Sequence, residues 1–267
     1  MLNVIVCLKQ VPGTNEVEID PQLGTLKREN AATKINLYDL YALEAAVNIT
    51  DQYGGRITVI SMGPPQAKKA ILEAYALGAH HGILLSDRRF AGADTLATAF
   101  TLAQAIRRRE SYDLILTGMQ TSDGDTAQVG PALAEFLGIP HVAYVHKVLG
   151  IQHGTEKTIT VQADMGDALD TLQTQMPCLL TCTKEVSRPG LPSYLRLKAA
   201  RERDITVWTY DDLKQETGPA YFGLDGSPTR VQKVFPPSKE QAHERWEGPP
   251  AALARRLYAR LQEMKRI

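Results

Sequence analysis

The chain has 267 residues, and its 30 Lys and Arg residues balance 30 Asp and Glu residues, so the formal net charge is zero. This balance argues against a protein that binds nucleic acid or anionic membranes mainly by electrostatics, because such binding needs a basic excess. No apolar run approaches the ~18 residues of a membrane span, and the first residues show no signal-peptide pattern. We therefore expect a cytoplasmic protein without a membrane span.

Strand and helix patterns alternate along the first half of the chain. Short, nearly continuous apolar runs predict buried strands at residues 4–8, 57–61, 83–85 and 114–117. Apolar positions that share one face predict helices at residues 39–52, 65–77, 93–108 and 126–137. Residues 10–34 have no sustained period, so we expect a long excursion with at most small strands. The regular alternation predicts right-handed β-α-β units in an open, largely parallel α/β sheet.

The second half of the chain has a weaker pattern. Strand-like stretches at residues 142–149, 158–162 and 179–183 favour a meander that closes the sheet. Cys178 and Cys182 lie four residues apart on one face, which favours small core residues over a redox pair. After this region glycines and prolines interrupt the sequence, and a helical pattern returns only at residues 251–264. We therefore divide the chain into an α/β domain of residues 1–187 and a C-terminal arm of residues 188–267 that packs on something else.

A ligand site is expected at one edge of the predicted sheet, because open α/β sheets bind ligands beyond the carboxyl ends of their strands. Residues 118–131 follow the fourth strand, are rich in small residues and lead into a helix whose first N–H groups can hold phosphate. Asp125 or Thr126 would serve equally well as an ordinary N-cap, so a phosphate site and a structural turn both stay open. Asn36, just before the first helix, would either cap that helix or contact an adenine edge.

Several signatures of nucleotide, metal and nucleophilic chemistry are absent from the sequence. It contains neither G-x-G-x-x-G nor G-x-x-x-x-G-K-[ST], and its six histidines have no zinc-binding spacing. The cysteines form no C-x-x-C pair, which argues against a cysteine-only metal site. No serine, cysteine or lysine has an evident base, so we expect no catalytic side chain and no metal ligand. The residues alone indicate a nucleotide-binding α/β module with an interaction arm.

Six motifs in chain order resemble the beta subunit of electron-transfer flavoproteins. They are VIVCLKQVP at residues 4–12, NLYDLYALE at 36–44, VISMGP at 59–64, ALGA at 76–79, the segment 118–131 and MPCLLT at 176–181. The resemblance extends from residue 1 to about residue 205. In two places the chain departs from the family pattern. Leu37 follows Asn36 where the family usually has proline, and residues 161–167 differ from the usual opening of the family's signature segment.

The resemblance implies an adenine-nucleotide alpha hydrolase-like, Rossmann-like fold and an alpha–beta heterodimer that carries electrons on flavin. Ordinary members hold AMP in the beta subunit, whereas members of the electron-bifurcating branch hold a second FAD there. Residues 123–131 resemble the bifurcating branch, because their small side chains leave room for a flavin diphosphate. The matching positions imply cofactor contacts from Cys7, Asn36, Asp39, Met62, Gly118, Gln120, Asp123, Gly124, Asp125, Thr126, Ala127, Gln128 and Val129.

The resemblance also implies where protein partners bind. Residues 189–203 correspond to the recognition loop that contacts the partner dehydrogenase, and Tyr194 and Leu195 lie where an apolar anchor is expected. The helix predicted at residues 251–264 has an apolar stripe that is expected to pack on the alpha subunit. Packing of this stripe on the chain's own core is the alternative.

We therefore expect a beta subunit that binds FAD and takes electrons from NADH for bifurcation. One electron would pass to a low-potential acceptor such as ferredoxin or flavodoxin, and the other to the alpha-subunit flavin and then to a flavin-dependent dehydrogenase. In this expectation the flavin supplies the chemistry and the protein sets its position and potential. Two alternatives stay open: an ordinary beta subunit with a structural AMP, and an adenine-nucleotide-binding regulatory module.

Overall fold

The computed structural model describes residues 1–13, 33–109, 111–152, 156–213, 218–232 and 244–266. The strands in chain order are β1 (Leu2–Leu8), β2 (Gln10–Pro12), β3 (Thr33–Ile35), β4 (Gly55–Met62), β5 (His81–Leu85), β6 (Leu114–Gly118), β7 (His141–Gln152), β8 (Thr158–Asp164), β9 (Leu169–Gln175), β10 (Cys178–Cys182) and β11 (Thr206–Trp208). The helices are α1 (Leu37–Tyr53), α2 (Lys68–Leu77), α3 (Thr95–Arg107), α4 (Val129–Leu137), α5 (Tyr194–Ala200), α6 (Tyr210–Leu213) and α7 (Pro250–Glu263). Most of the excursion predicted at residues 10–34 lies outside the described residues.

One mixed sheet organises the chain up to residue 232. Its strand order is β11-β5-β4-β1-β6-β10-β7-β8-β9. The strands from β11 to β7 in this order run parallel, and β8 and β9 continue the sheet in antiparallel orientation. The open, largely parallel sheet predicted from the sequence is therefore confirmed.

The side chains of β1 alternate between two apolar layers. Val4 and Val6 belong to the layer that α1 and α2 cover, whereas Ile5 and Cys7 belong to the layer that α3 and α4 cover. A strand covered on both faces needs apolar side chains on both, which explains the nearly unbroken apolar run of β1. Because helices cover both faces, polar chemistry is confined to the ends of these strands.

The position of β10 differs from the predicted meander. It lies between β6 and β7 and pairs in parallel with both, so only β7, β8 and β9 form a meander. The sequence did not indicate β9, because its side chains are exposed or half-buried and show no apolar alternation. Cys178 and Cys182 are free thiols that are fully buried in the same apolar layer, which confirms their interpretation as core residues.

Residues beyond 187 contribute more to the α/β body than the sequence indicated. β11 pairs in parallel with β5, and the buried Phe222 ring contacts the rings of Phe90 and Tyr210. The functional division at residue 187 stays a prediction, and the first compact unit, which extends to residue 232, includes both features. The sequence pattern missed this because a three-residue strand and isolated aromatic residues leave no periodic signal. The packing of residues 188–267 on an alpha subunit stays a prediction.

A second compact unit lies within residues 233–267. It contains α7, whose bounds confirm the helix predicted near the C-terminus. The Arg256 guanidinium lies over the Trp246 ring, 4.4 Å from its centroid. The expected packing of the apolar stripe of α7 on an alpha subunit stays a prediction. Within the described ranges, no helix is long and apolar enough to cross a membrane.

Candidate functional site

The carboxyl end of β1 lies at the point where the sheet topology reverses. From β1 the chain adds β4 and β5 on one side and then places β6 on the other side of β1. In open α/β sheets a ligand-binding crevice forms at this point, beyond the strand ends. The ends of β1, β4 and β6 lie at this one edge, as the sequence predicted, because the three strands pair in parallel register.

Asn36 fixes the backbone that follows β6. Its buried side chain donates a hydrogen bond from Nδ2 to the Gln120 carbonyl oxygen (2.8 Å) and accepts one at Oδ1 from the Ser122 backbone N–H (3.1 Å). Although Asn36 is the residue that precedes α1, its side chain makes no capping hydrogen bond. The capping role considered from the sequence is therefore wrong. The nucleotide contact expected of Asn36 stays a prediction.

The Asp39 carboxylate joins the ends of β1 and β6. Oδ2 accepts a hydrogen bond from the Lys9 backbone N–H (2.7 Å), and Oδ1 accepts one from the Gly118 backbone N–H (3.2 Å). The residue is only 5% exposed. Burial raises the pKa of Asp39 to about 7, although hydrogen bonds and the Lys9 charge favour the ionised form. Asp39 is therefore a carboxyl group whose charge changes near neutral pH.

An ion pair connects the same strand end to the loop of residues 118–129. Lys9 Nζ lies 2.8 Å from Asp123 Oδ1, and the two side chains are 45% and 28% exposed. Burial raises the pKa of Asp123, but the hydrogen bond and charge of Lys9 act against it, and the pKa lies below its ordinary value. Lys9 was not among the cofactor contacts expected from the sequence. Its position directly after the apolar run of β1 is the signal that could have identified it.

Two non-glycine residues of the 118–129 loop have left-handed backbone angles. Asp125 has φ 52° and Ala127 has φ 55°, a region that costs a residue with a side chain roughly 1–2 kcal/mol. The Asp125 N–H donates to the Thr121 carbonyl oxygen (2.8 Å), which closes a turn inside the loop. The loop is therefore held in a defined conformation by backbone hydrogen bonds.

The helix after this loop begins later than the sequence predicted. α4 begins at Val129, not near residue 126, and its N-cap residue Gln128 makes no capping hydrogen bond with its side chain. The N-cap roles considered for Asp125 and Thr126 are therefore wrong. Instead, Gln128 Oε1 accepts a hydrogen bond from the Thr95 hydroxyl group (2.9 Å), and residues 122–126 are exposed. The exposed residues are free to contact a ligand.

The two glycines of the loop differ in the space around them. A Cβ added at Gly118 would lie 2.5 Å from Asp39 Oδ1 and 2.6 Å from Tyr38 Cβ. A Cβ added at Gly124 would meet only Thr121 Oγ1, at 3.3 Å. Gly118 is therefore required by the close approach of Asp39, whereas the space beside Gly124 is open.

Cys7 and Met62 lie at the carboxyl ends of β1 and β4. Burial raises the pKa of the Cys7 thiol to about 12, so the group is neutral and has no nucleophilic thiolate. Met62 is half-buried and packs against the layer that α3 and α4 cover. Their contacts with a cofactor stay predictions. Among the described residues, no group of three or more His, Cys, Asp or Glu side chains could hold a metal ion.

Apolar side chains are exposed at the start of α5. Tyr194 and Leu195 are 78% and 75% exposed, and Ser193 caps the helix by accepting a hydrogen bond from the Arg196 N–H. The other end of α5 is anchored, because Ala200 is buried in the apolar layer that contains α2. The cap and the anchor hold Tyr194 and Leu195 on the surface. Their role in binding a dehydrogenase stays a prediction.

Comparison with known proteins gives a consistent family assignment. The family model described as the electron transfer flavoprotein domain matches residues 23–213. The electron transfer flavoprotein subunit beta of Clostridium acetobutylicum is 47% identical over 232 residues, which cover 87% of each chain. The caffeyl-CoA reductase-Etf complex subunit CarD of Acetobacterium woodii is 44% identical over 240 residues, which cover 89% of each chain.

A further relative is protein FixA of Azorhizobium caulinodans, which is 41% identical over 244 residues that cover 89% of this chain and 85% of FixA. The family model covers more than half of the chain, and these relatives align over most of their own lengths. This chain therefore belongs to the electron transfer flavoprotein family and is similar over most of its length to beta subunits of that family.

Proposed function

We propose that this chain binds FAD at the 118–129 loop and acts as the beta subunit of an electron-bifurcating flavoprotein with NADH as the electron donor. The observation that carries the proposal is the open space beside Gly124, where an added Cβ would meet only one side-chain atom. A flavin diphosphate needs such space close to the backbone, whereas bulkier loop residues would restrict the site to a smaller nucleotide. The exposed position of residues 122–126 supports the same interpretation.

The residues at this edge fit an adenine dinucleotide. Asp123, Gly124, Asp125 and Thr126 would hold the diphosphate and ribose, because their hydroxyl, carboxylate and backbone groups suit hydroxyl and phosphate partners. Two carboxylates alone would repel a diphosphate, but Lys9 pairs with Asp123 and offsets one negative charge. Met62 would pack on the adenosine moiety.

The contribution of the protein in this function is positional. The chemistry that bound FAD supplies is acceptance of hydride from NADH and single-electron transfer to a low-potential acceptor and to the alpha-subunit flavin. The chain holds the loop through Asn36 and Asp39, and burial keeps the Cys7 thiol neutral.

The partners of the proposed function are an alpha subunit, a flavin-dependent dehydrogenase and ferredoxin or flavodoxin in the cytoplasm. The exposed Tyr194 and Leu195 side chains support docking of the dehydrogenase at α5, because exposed apolar side chains held on a capped helix suit an interface. The relative CarD is named as a subunit of a caffeyl-CoA reductase-Etf complex. We propose a comparable complex for this chain, with a dehydrogenase of its own.

Counting the nucleotides of the purified alpha–beta heterodimer tests the proposal. Denaturation followed by chromatography should release a second FAD beyond the alpha-subunit flavin. Release of a single FAD together with AMP would overturn bifurcation and leave an ordinary beta subunit. Bound adenylate without any flavin would instead favour a regulatory module.

A substitution at Gly124 tests the location of the cofactor. Gly124→Val should remove the beta-subunit nucleotide while the heterodimer stays folded, because the added Cβ meets only Thr121 Oγ1. Gly190→Ala is the matched control, since an added Cβ there meets nothing within 4 Å and lies outside the loop. If the Gly124 variant retained a full second FAD, the cofactor would not bind at the 118–129 loop.

A further inference from the structure

Asp39 does not resemble a residue that contacts a ligand directly. Its side chain is almost completely buried, and each carboxylate oxygen already accepts a backbone N–H. These two donors belong to Lys9, which directly follows β1, and to Gly118, where the 118–129 loop begins. The carboxylate therefore connects the two sides of the crevice at the topological switch point.

We propose that Asp39 is the positioning residue of the nucleotide site, and that its carboxylate must be ionised for the 118–129 loop to bind nucleotide tightly. This inference rests on the proposed function only in taking this loop as the nucleotide site. An ionised carboxylate accepts strong hydrogen bonds from both N–H groups. A protonated carboxyl group carries its own O–H, so one of its oxygens becomes a weaker acceptor and the link between Lys9 and Gly118 loosens.

The surroundings of Asp39 leave it free to change charge near neutral pH. The titratable groups that act on it are the Cys7 thiol from β1, the Cys182 thiol from β10 and the Lys9 ammonium group. Burial holds the pKa of both thiols at about 12, so both are neutral. Only Lys9 carries a charge, and its ammonium group is engaged with Asp123. Burial therefore dominates, and the pKa of Asp39 lies at about 7.

The Lys9 side chain extends the effect of Asp39 to the middle of the loop. The Lys9 backbone N–H binds Asp39, while its ammonium group binds Asp123. If the Lys9 backbone loses its hydrogen bond to Asp39, the position of the Lys9 ammonium group beside Asp123 is no longer fixed. Asp39 thus acts on the loop at two points, at Gly118 through the backbone and at Asp123 through Lys9.

The test is the dissociation constant of FAD for the beta-subunit site of the intact heterodimer, measured between pH 6 and pH 8.5. If only the ionised form binds tightly, the apparent affinity at pH 6 should be about tenfold weaker than at pH 8, because about one-tenth of Asp39 is ionised there. Asp39→Asn should bind weakly at every pH and show a flat profile. An unchanged wild-type affinity across this range would overturn the proposal, and this measurement needs no variant to fold.

Asp113→Asn is the matched control, because Asp113 also accepts a backbone N–H of β1, from Asn3, but at the opposite edge of the sheet. Its FAD affinity and pH profile should follow the wild type. A wild-type pH dependence that persists in Asp39→Asn would show that another group is responsible. A heterodimer that binds AMP but no second FAD would overturn the cofactor assignment, while the same pH comparison with AMP and these variants would still test Asp39.

Discussion

Each edge of the sheet has a carboxylate that accepts a backbone N–H, but the pKa of one is lowered and the pKa of the other is raised. At the amino edge, Asp113 accepts the Asn3 N–H (2.8 Å) and the Lys157 ammonium group (2.7 Å). Burial raises the pKa of Asp113, but these contacts act against it, and the pKa lies below its ordinary value. At the carboxyl edge, Asp39 accepts hydrogen bonds from the Lys9 and Gly118 backbone N–H groups and from the Asn36 side chain, and burial raises its pKa to about 7. The Lys157 ammonium group and the Asn3 N–H outweigh the partial burial of Asp113, whereas the deeper burial of Asp39 outweighs its N–H donors and the more distant Lys9 charge.

The largest expected effect is on stability, and it differs in sign between the two carboxylates. The folded state holds an extra proton on Asp39 between the ordinary pKa of 3.8 and about 7, so this stabilisation is present at acid pH and lost as pH rises to about 7. The loss is at most about 4 kcal/mol. Asp113 has a lowered pKa, so its contribution is present above its ordinary pKa and is lost as pH falls.

Urea unfolding of Asp39→Asn and Asp113→Asn from pH 4 to pH 8.5 measures how each carboxylate changes the free energy of unfolding with pH. Relative to the wild type, Asp39→Asn should become more stable as pH rises towards 8. Asp113→Asn should be less stable than the wild type at neutral pH, and this deficit should shrink in acid. Parallel curves for the wild type and Asp39→Asn would contradict the assigned pKa.

The next largest effect is the loss of stability when a side chain is added at either of two crowded glycines. A Cβ at Gly55, on the amino edge, would lie 2.5 Å from the Leu2 carbonyl oxygen, and a Cβ at Gly118 would lie equally close to Asp39 Oδ1. We expect Gly55→Ala and Gly118→Ala each to lower the free energy of unfolding by about 1–3 kcal/mol, because backbone or buried groups must move. Only Gly118→Ala should also lower the nucleotide content per folded heterodimer. Equal nucleotide content in both variants would remove the functional distinction between the edges.

The smallest expected effect is the change in stability when either of two similarly exposed ion pairs is removed. Lys9 pairs with Asp123 at 2.8 Å, and Lys157 pairs with Asp113 at 2.7 Å. Such partly exposed pairs contribute only about 0–1 kcal/mol to stability, so Lys9→Met and Lys157→Met should unfold almost as the wild type does. Lys9→Met should nevertheless weaken nucleotide binding, and Lys157→Met should not. Calorimetric titration of both variants tests this difference.

The sequence predicted the parallel part of the sheet because its strands are buried on both faces. Runs such as residues 4–8 and 57–61 are nearly continuous in apolar and β-branched residues, and that pattern does not depend on distant residues. β11 and β9 were missed for opposite reasons: β11 has only three residues, and β9 faces solvent. Local sequence carries little information about an edge strand, because its neighbours in the sheet define it.

The sequence predicted where the candidate site lies but not the hydrogen bonds that hold it together. The strand ends and the small residues of the 118–129 loop indicated one edge of the sheet, where the structure brings them together, and the family resemblance added Asn36 and Asp39. Their hydrogen bonds reach across about 80 residues of sequence, to Gln120, Ser122 and Gly118. No local pattern contains such information, because these contacts exist only after β1 and β6 have become neighbours in the sheet.

The position of β10 also affects how the chain folds while it is being synthesised. β10 separates β6 from β7, although β7, β8 and β9 precede it in the chain. Until residues 178–182 leave the ribosome, β6 has one edge without its final neighbour, and the meander has nothing to join it to the parallel strands. An open apolar edge is a site of mispairing and aggregation. Truncated chains that end before residue 178 should therefore depend on chaperones far more than chains that include β10.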